Sequence, residues 1–221
     1  MESFSVKKLF EDRINQLWDD EKYKDISIRN NGYAVQDDII KNAILFIGIN
    51  PSLSPQKEGN RIFYSNSQEY DEKTHPYFKK FIEIHKETGL PWTHLDLFYI
   101  RNSNQKDIET LFEKSVTKDF AKEQYLISKE IIELARPRVI VVNNAYARKW
   151  LTDKQTNNDC FKCKFDNEIG TYRIQDNPIL VNTPIFFTSM LTGQRALDLG
   201  SYERLKWHIK FVLNKLKANT Y

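Results

Sequence analysis

The sequence predicts an α/β protein, a three-layer α/β/α fold with a four-stranded parallel central sheet, on three observations. Four short apolar runs alternate with stretches of helical periodicity. Each run is largely apolar, as a strand buried on both faces is, although the second carries His94 and Asp96. Each also ends abruptly in polar residues: Asn50-Pro51-Ser52, Arg101-Asn102-Ser103-Asn104, Asn143-Asn144 and Thr188-Ser189. Right-handed crossovers place helices on both faces and gather the four strand ends on one edge, where open parallel sheets bind their ligands.

The elements follow in order. Val6, Leu9, Phe10, Ile14, Leu17 and Trp18 recur at helical spacing, so residues 5–20 read as an amphipathic helix. Asn30-Asn31-Gly32 is a turn, and residues 25–40 read as irregular chain or a short hairpin. The first central strand spans 43–49. A long polar loop through Ser65 and Asn66 leads to a helix at about 77–88, stopped by Gly89 and Pro91. The second strand reads as 94–100. A helix from about 118 to 135 halts at Arg136-Pro137 and feeds the third strand, 138–142, with a helix over 145–151 after it. Residues 153–182 are polar and read as an excursion with a hairpin around Ile169-Gly170-Thr171, outside the core layers. The fourth strand is 184–187, and a helix over about 202–218 follows.

A chain of 221 residues reads as a single domain with an N-terminal helical extension over about 1–40. No apolar run approaches a membrane span and no signal segment opens the chain, so a cytoplasmic protein is expected; a monomer is the separate expectation for its assembly. The net charge of +3 permits a polyanionic partner without requiring one. Cys160 and Cys163 form a lone pair without a second pair to complete a metal site. No glycine-rich phosphate loop follows any strand, and no Ser, Cys or Lys has a neighbour suited to nucleophilic catalysis. Neither a metal nor an organic cofactor is expected.

Gly48-Ile49-Asn50-Pro51-Ser52 at the first strand end resembles the uracil-DNA glycosylase superfamily, whose mismatch-specific uracil/thymine branch carries Gly-Ile-Asn-Pro-Gly there. Phe63 follows Asn50 by thirteen positions, the spacing that in strict uracil enzymes separates the water-handling residue from the ring stacked on the flipped base. Residues 139–151 and 186–195 are similar by position and apolar pattern, and the likeness covers roughly 43–213.

The resemblance implies a DNA glycosylase of base excision repair, which draws a nucleotide out of DNA and hydrolyses its N-glycosidic bond. On this reading Asn50 orients the water. An amide is too weak a base to take its proton, so turnover is slow. Gly48, Ile49, Ser52, Phe63 and Asp96 meet the base, and Ser52, standing where strict uracil enzymes have a tyrosine, leaves room for larger bases. Ser189, Met190, Leu191 and Arg195 hold the DNA, with Met190 and Leu191 as wedges and Arg195 on a phosphate. Asp96 stands where many relatives have an asparagine. An ionised aspartate only accepts, so it reads uracil poorly unless protonated or one position out of register. The final loop lacks the histidine of the strict enzymes, as the mismatch-specific branch also does. His75, before Pro76, reads as a helix-start residue, and His94 as a core histidine or a pocket residue. The alternatives are a protein of the same fold that binds nucleic acid or a partner without hydrolysis, and an N-glycosidase acting on nucleosides.

Overall fold

The computed structural model describes residues 1–53, 59–72, 74–113, 115–193 and 196–218. A short strand, β1 (Ser3–Ser5), leads into helix α1 (Val6–Asp19), whose first turn is capped by Ser5: its Oγ accepts from the Lys8 amide at 3.0 Å. Two 3₁₀ turns follow, then β2 (Tyr33–Gln36) and β3 (Asp38–Ile40). These two do not pair with each other as the hairpin reading allowed. β3 lies antiparallel to β1, and β2 runs parallel to β5 (Arg61–Tyr64) beyond the first central strand, β4 (Ile44–Gly48). Residues 33–36 are all buried, so the first forty residues are woven into the domain.

The remaining elements are α2 (Lys79–Thr88), β6 (Trp92–Asp96), α3 (Gln105–Leu111), α4 (Ser115–Ala135), β7 (Val139–Val142), α5 (Ala145–Thr152), β8 (Cys163–Asp166), β9 (Thr171–Ile174), β10 (Pro184–Phe187) and α6 (Leu199–Ala218). The central sheet has six strands in the order β6-β4-β7-β10-β9-β8, where four were expected. The first four in that order are mutually parallel, and β9 and β8 are antiparallel additions. Residues 153–182 thus extend the sheet. Gly170 takes φ 68°, which turns the hairpin, and Thr171 Oγ1 donates to the Ile185 carbonyl at 2.8 Å, tying β9 to β10.

Alternation along the buried strands divides the core. Leu45, Ile47, Leu95, Ile140, Val142 and Ile185 face α1, α4 and α5, whereas Ile44, Phe46, Trp92, Val139, Val141 and Phe186 face α2 and α6. β6 begins two residues earlier than expected and ends at Asp96. Beyond it the amides of Leu97 and Phe98 still bond to Gly48 and Ile49 carbonyls. Those of Tyr99 and Ile100 turn away to Gln124 Oε1 of α4, at 2.8 and 3.2 Å, which peels the chain off the sheet. Ser128 assists, donating to the Leu97 carbonyl at 2.9 Å, with the Tyr99 hydroxyl 2.8 Å from its Oγ. On the outer rim of β6 the Gln68 side chain pairs with Trp92: Nε2 donates to its carbonyl (2.8 Å) and Oε1 accepts from its amide (3.0 Å).

Candidate functional site

The register aligns three strand ends in one row. Gly48 is level with Asp96 of β6, and Asn143 lies one residue past the Ile47–Val142 pair, level with Gly48. All three lie on the α2/α6 face, in phase with Phe46, His94 and Val141. Gly48 is there because the Asp96 carboxyl leans across it. A Cβ at position 48 would lie 2.2 Å from Asp96 Oδ1 and 3.2 Å from His94 Nε2. This is a requirement for space, met only by a residue without a side chain.

Asp96 is 8% exposed. Among the described residues its one ion-pair neighbour is His94 Nε2, at 3.6 Å. Burial pushes the Asp96 carboxyl up to about 7 and the His94 imidazole down to about 3, because each loses water around its charged form. Near neutral pH the histidine is therefore neutral and no salt bridge forms. Both ring nitrogens of His94 are buried without a hydrogen-bond partner, and so is Asn143 Oδ1. Asn143 Nδ2 donates to the Tyr77 hydroxyl at 3.2 Å.

An aromatic wall closes this polar floor. Tyr77 and Phe78, from the turn before α2, meet the His94 ring edge-on at 5.6 and 5.5 Å. Burial and the nearby Asp96 carboxyl raise the Tyr64 and Tyr77 phenols well above their usual range, so both stay protonated donors. Tyr64 therefore lies within electrostatic reach of this cluster. Its neighbour Phe63 is half-buried and packs edge-on against Tyr33 at 5.6 Å, alongside the α1/α4/α5 core. A strand sends successive side chains to opposite faces, so β5 turns Tyr64 away from the face on which Phe63 packs, with Asp96 among the groups that raise its phenol.

Asn50 stands two residues beyond Gly48. Its Nδ2 donates to the carbonyls of Pro51 (3.0 Å), Ile100 (3.3 Å) and Asn102 (2.8 Å). The amide nitrogen is thereby fixed, and no hydrogen bond among the described residues occupies Oδ1. The two loops are laced together further out, by the Asn102 amide on the Pro51 carbonyl and by Ser103 Oγ on both backbone groups of Leu53. Ile49 is buried and Ser52 is exposed.

The last loop is less committed to the edge. Ser189 is exposed and Met190 half-buried, and Arg195 lies outside the described residues. Leu191 is fully buried in the core against α2 and α6, so as the loop stands it does not project as a wedge. His75 starts the turn before α2, with Nδ1 accepting from the Tyr77 amide. Asn144 caps α5 through Oδ1, leaving Asn143 as the member of that pair at the site.

Tyr64, Tyr77 and Asn143 were not singled out from the sequence as site residues. Asn143 had a usable signal, its place at a strand end, whereas the tyrosines reach the site only through tertiary structure. Among the described residues no group of three His, Cys, Asp or Glu side chains gathers to hold a metal, and no helix is long and apolar enough to cross a membrane. Neither a family model nor a curated protein matches the chain.

Proposed function

We propose that the chain is a monofunctional DNA glycosylase of uracil-DNA glycosylase-like fold that hydrolyses the N-glycosidic bond of a flipped-out uracil or related damaged base. The observation that carries the reading is the Asp96 carboxyl, buried over Gly48 two residues before Asn50. Its proton is held up to about pH 7. A neutral carboxylic acid offers one O–H donor and one carbonyl acceptor, the pair that an asparagine amide offers to uracil O4 and N3–H. The departure from the usual asparagine is then compatible with a uracil-like edge, in the protonated form.

Two further features support it. Fixing Nδ2 of Asn50 on three carbonyls leaves Oδ1 to orient a water, and positioning is what an amide can contribute to this reaction. Four parallel strands in the order β6-β4-β7-β10 bring the loops of the resemblance to one edge. A second reading, binding without hydrolysis, is favoured by Leu191, whose burial leaves the final loop with Met190 alone of its two expected wedges.

The test is base release from labelled single- and double-stranded oligonucleotides containing uracil, thymine opposite guanine, hypoxanthine or ethenocytosine, followed from pH 5 to 9. Release from uracil should fall as pH rises through about 7, and Asp96→Asn should flatten that fall. Asn50→Ala should lower release about 100-fold, the scale on which loss of one oriented polar group acts. If no base is released at any pH while DNA is still bound, hydrolysis is excluded for these bases and the second reading stands.

A further inference from the structure

Two surface grooves flank the exposed Trp207 of α6, and they differ in charge. In the first, Lys206 pairs with Glu203 at 2.9 Å and Lys210 with Glu87 at 2.7 Å, so its cations are neutralised locally. The second, of about 440 Å³, runs between α6, the β8–β9 hairpin and the end of β10. Its lining includes Arg148 and Arg204 and, among the described residues, no acidic one. Neither arginine has an acidic partner among the described residues, although the chain carries 30 Asp and Glu. With carboxylates this common elsewhere in the chain, a lining that holds two arginines and, among the described residues, no carboxylate favours an anion.

The walls supply ring faces. The Arg148 guanidinium lies 4.8 Å from the centre of the Phe187 ring, which meets Tyr172 at 5.2 Å. Phe165 is 48% exposed and Trp207 63% exposed, the latter stacked on Phe211 at 5.4 Å and 14°. An indole so exposed, braced from behind and three residues from an unneutralised arginine, offers a flat surface beside a positive charge. We propose that this groove binds single-stranded nucleic acid, with bases stacking on Trp207 and the neighbouring rings and phosphates on Arg148 and Arg204. Thr188, at the end of β10, lies in the groove and on the same sheet edge as Asn50 and Asp96. β10 is two strand spacings from β4, about 10 Å, so one strand can occupy both. The inference rests on the nucleic-acid reading of the site, but not on hydrolysis.

The probe is a fluorescent oligothymidylate of about 12 nucleotides, followed by anisotropy and by tryptophan quenching. Trp18, Trp92 and Trp150 are buried, so quenching reports on Trp207. Trp207→Ala should weaken binding about tenfold. Arg148→Ala and Arg204→Ala should each reduce the slope of log affinity against log salt by about 0.7. All three side chains are exposed, and far-UV circular dichroism checks that the variants fold. Unchanged affinity and salt slope in all three overturn the proposal, as does quenching of Trp207 by a phosphorylated peptide with none by the oligonucleotide. Base release assayed in parallel separates the two readings: release without groove dependence fails the groove alone, and groove binding without release fails the glycosylase alone.

Discussion

Two buried polar clusters flank the same stretch of chain, residues 94–100, and they are built to opposite rules. On the α4 side Gln124 accepts from two backbone amides and donates to the Phe120 carbonyl, and Ser128 bonds to Leu97 and Tyr99, so each polar side chain has its partners. On the α2 side His94 and Asn143 keep buried atoms without partners, and the one ion-pair neighbour of the Asp96 carboxyl among the described residues is a neutral imidazole. An unpaired buried polar group costs about 1–3 kcal/mol, and a buried charge more. The first cluster is what a fold needs to end a strand. The second lowers stability, and the site reading supplies the reason for keeping it.

The comparison breaks most sharply at Asp96. Its folded-state value of about 7 lies above the 3.8 of an ordinary aspartate, so the folded chain holds a proton that the unfolded chain has released, and stability falls as pH rises from about 4 to about 7. The gap corresponds to on the order of 4 kcal/mol. Asp96→Asn should therefore stabilise the protein at pH 8 by up to that amount and leave it nearly unchanged at pH 4, measured by urea unfolding at both. A loss of stability at pH 8 would mean that the carboxylate is compensated. Next in size, Gln124→Leu should destabilise by about 3 kcal/mol at either pH, since two buried amides lose their acceptor; a neutral result would remove the contrast between the clusters. The smallest effect is expected of Gly48→Ala, at about 2 kcal/mol from the overlap with Asp96 Oδ1. Asp96→Ala should recover at least half of that in the double variant, and additivity of the two single effects would place the strain elsewhere.

The parallel frame was legible because buried strands advertise themselves: Ile44–Gly48, Val139–Val142 and Pro184–Phe187 fall within two residues of their expected limits. The second strand was misplaced because apolarity runs on to Ile100, and nothing local says that Gln124, 24 residues away, will draw the chain off the sheet. The hairpin was visible through Gly170, but its attachment to β10 depends on pairing that no local pattern encodes. At the site, Gly48, Asn50 and Asp96 were readable from one strand end and the next. Tyr64 was not: spacing pointed to Phe63, and which way each of the two adjacent rings faces depends on the pairing of β5 with β2, which sets Phe63 on the same face as Tyr33. His94 was read as core or pocket; it is buried, with its ring on the face that carries the polar row.

The Gln68 amide on the rim of β6 bears on self-association. An open strand edge offers unpaired N–H and C=O groups to any passing chain, and proteins commonly blunt such edges with charge, proline or a bulge. Here a side chain imitates one residue of a neighbouring strand, occupying the amide and carbonyl of Trp92. Gln68→Ala would uncover that docking point at the start of the β6 edge. The protein would then be expected to aggregate on storage and during refolding before it lost measurable stability, a colloidal fault with its origin in one glutamine.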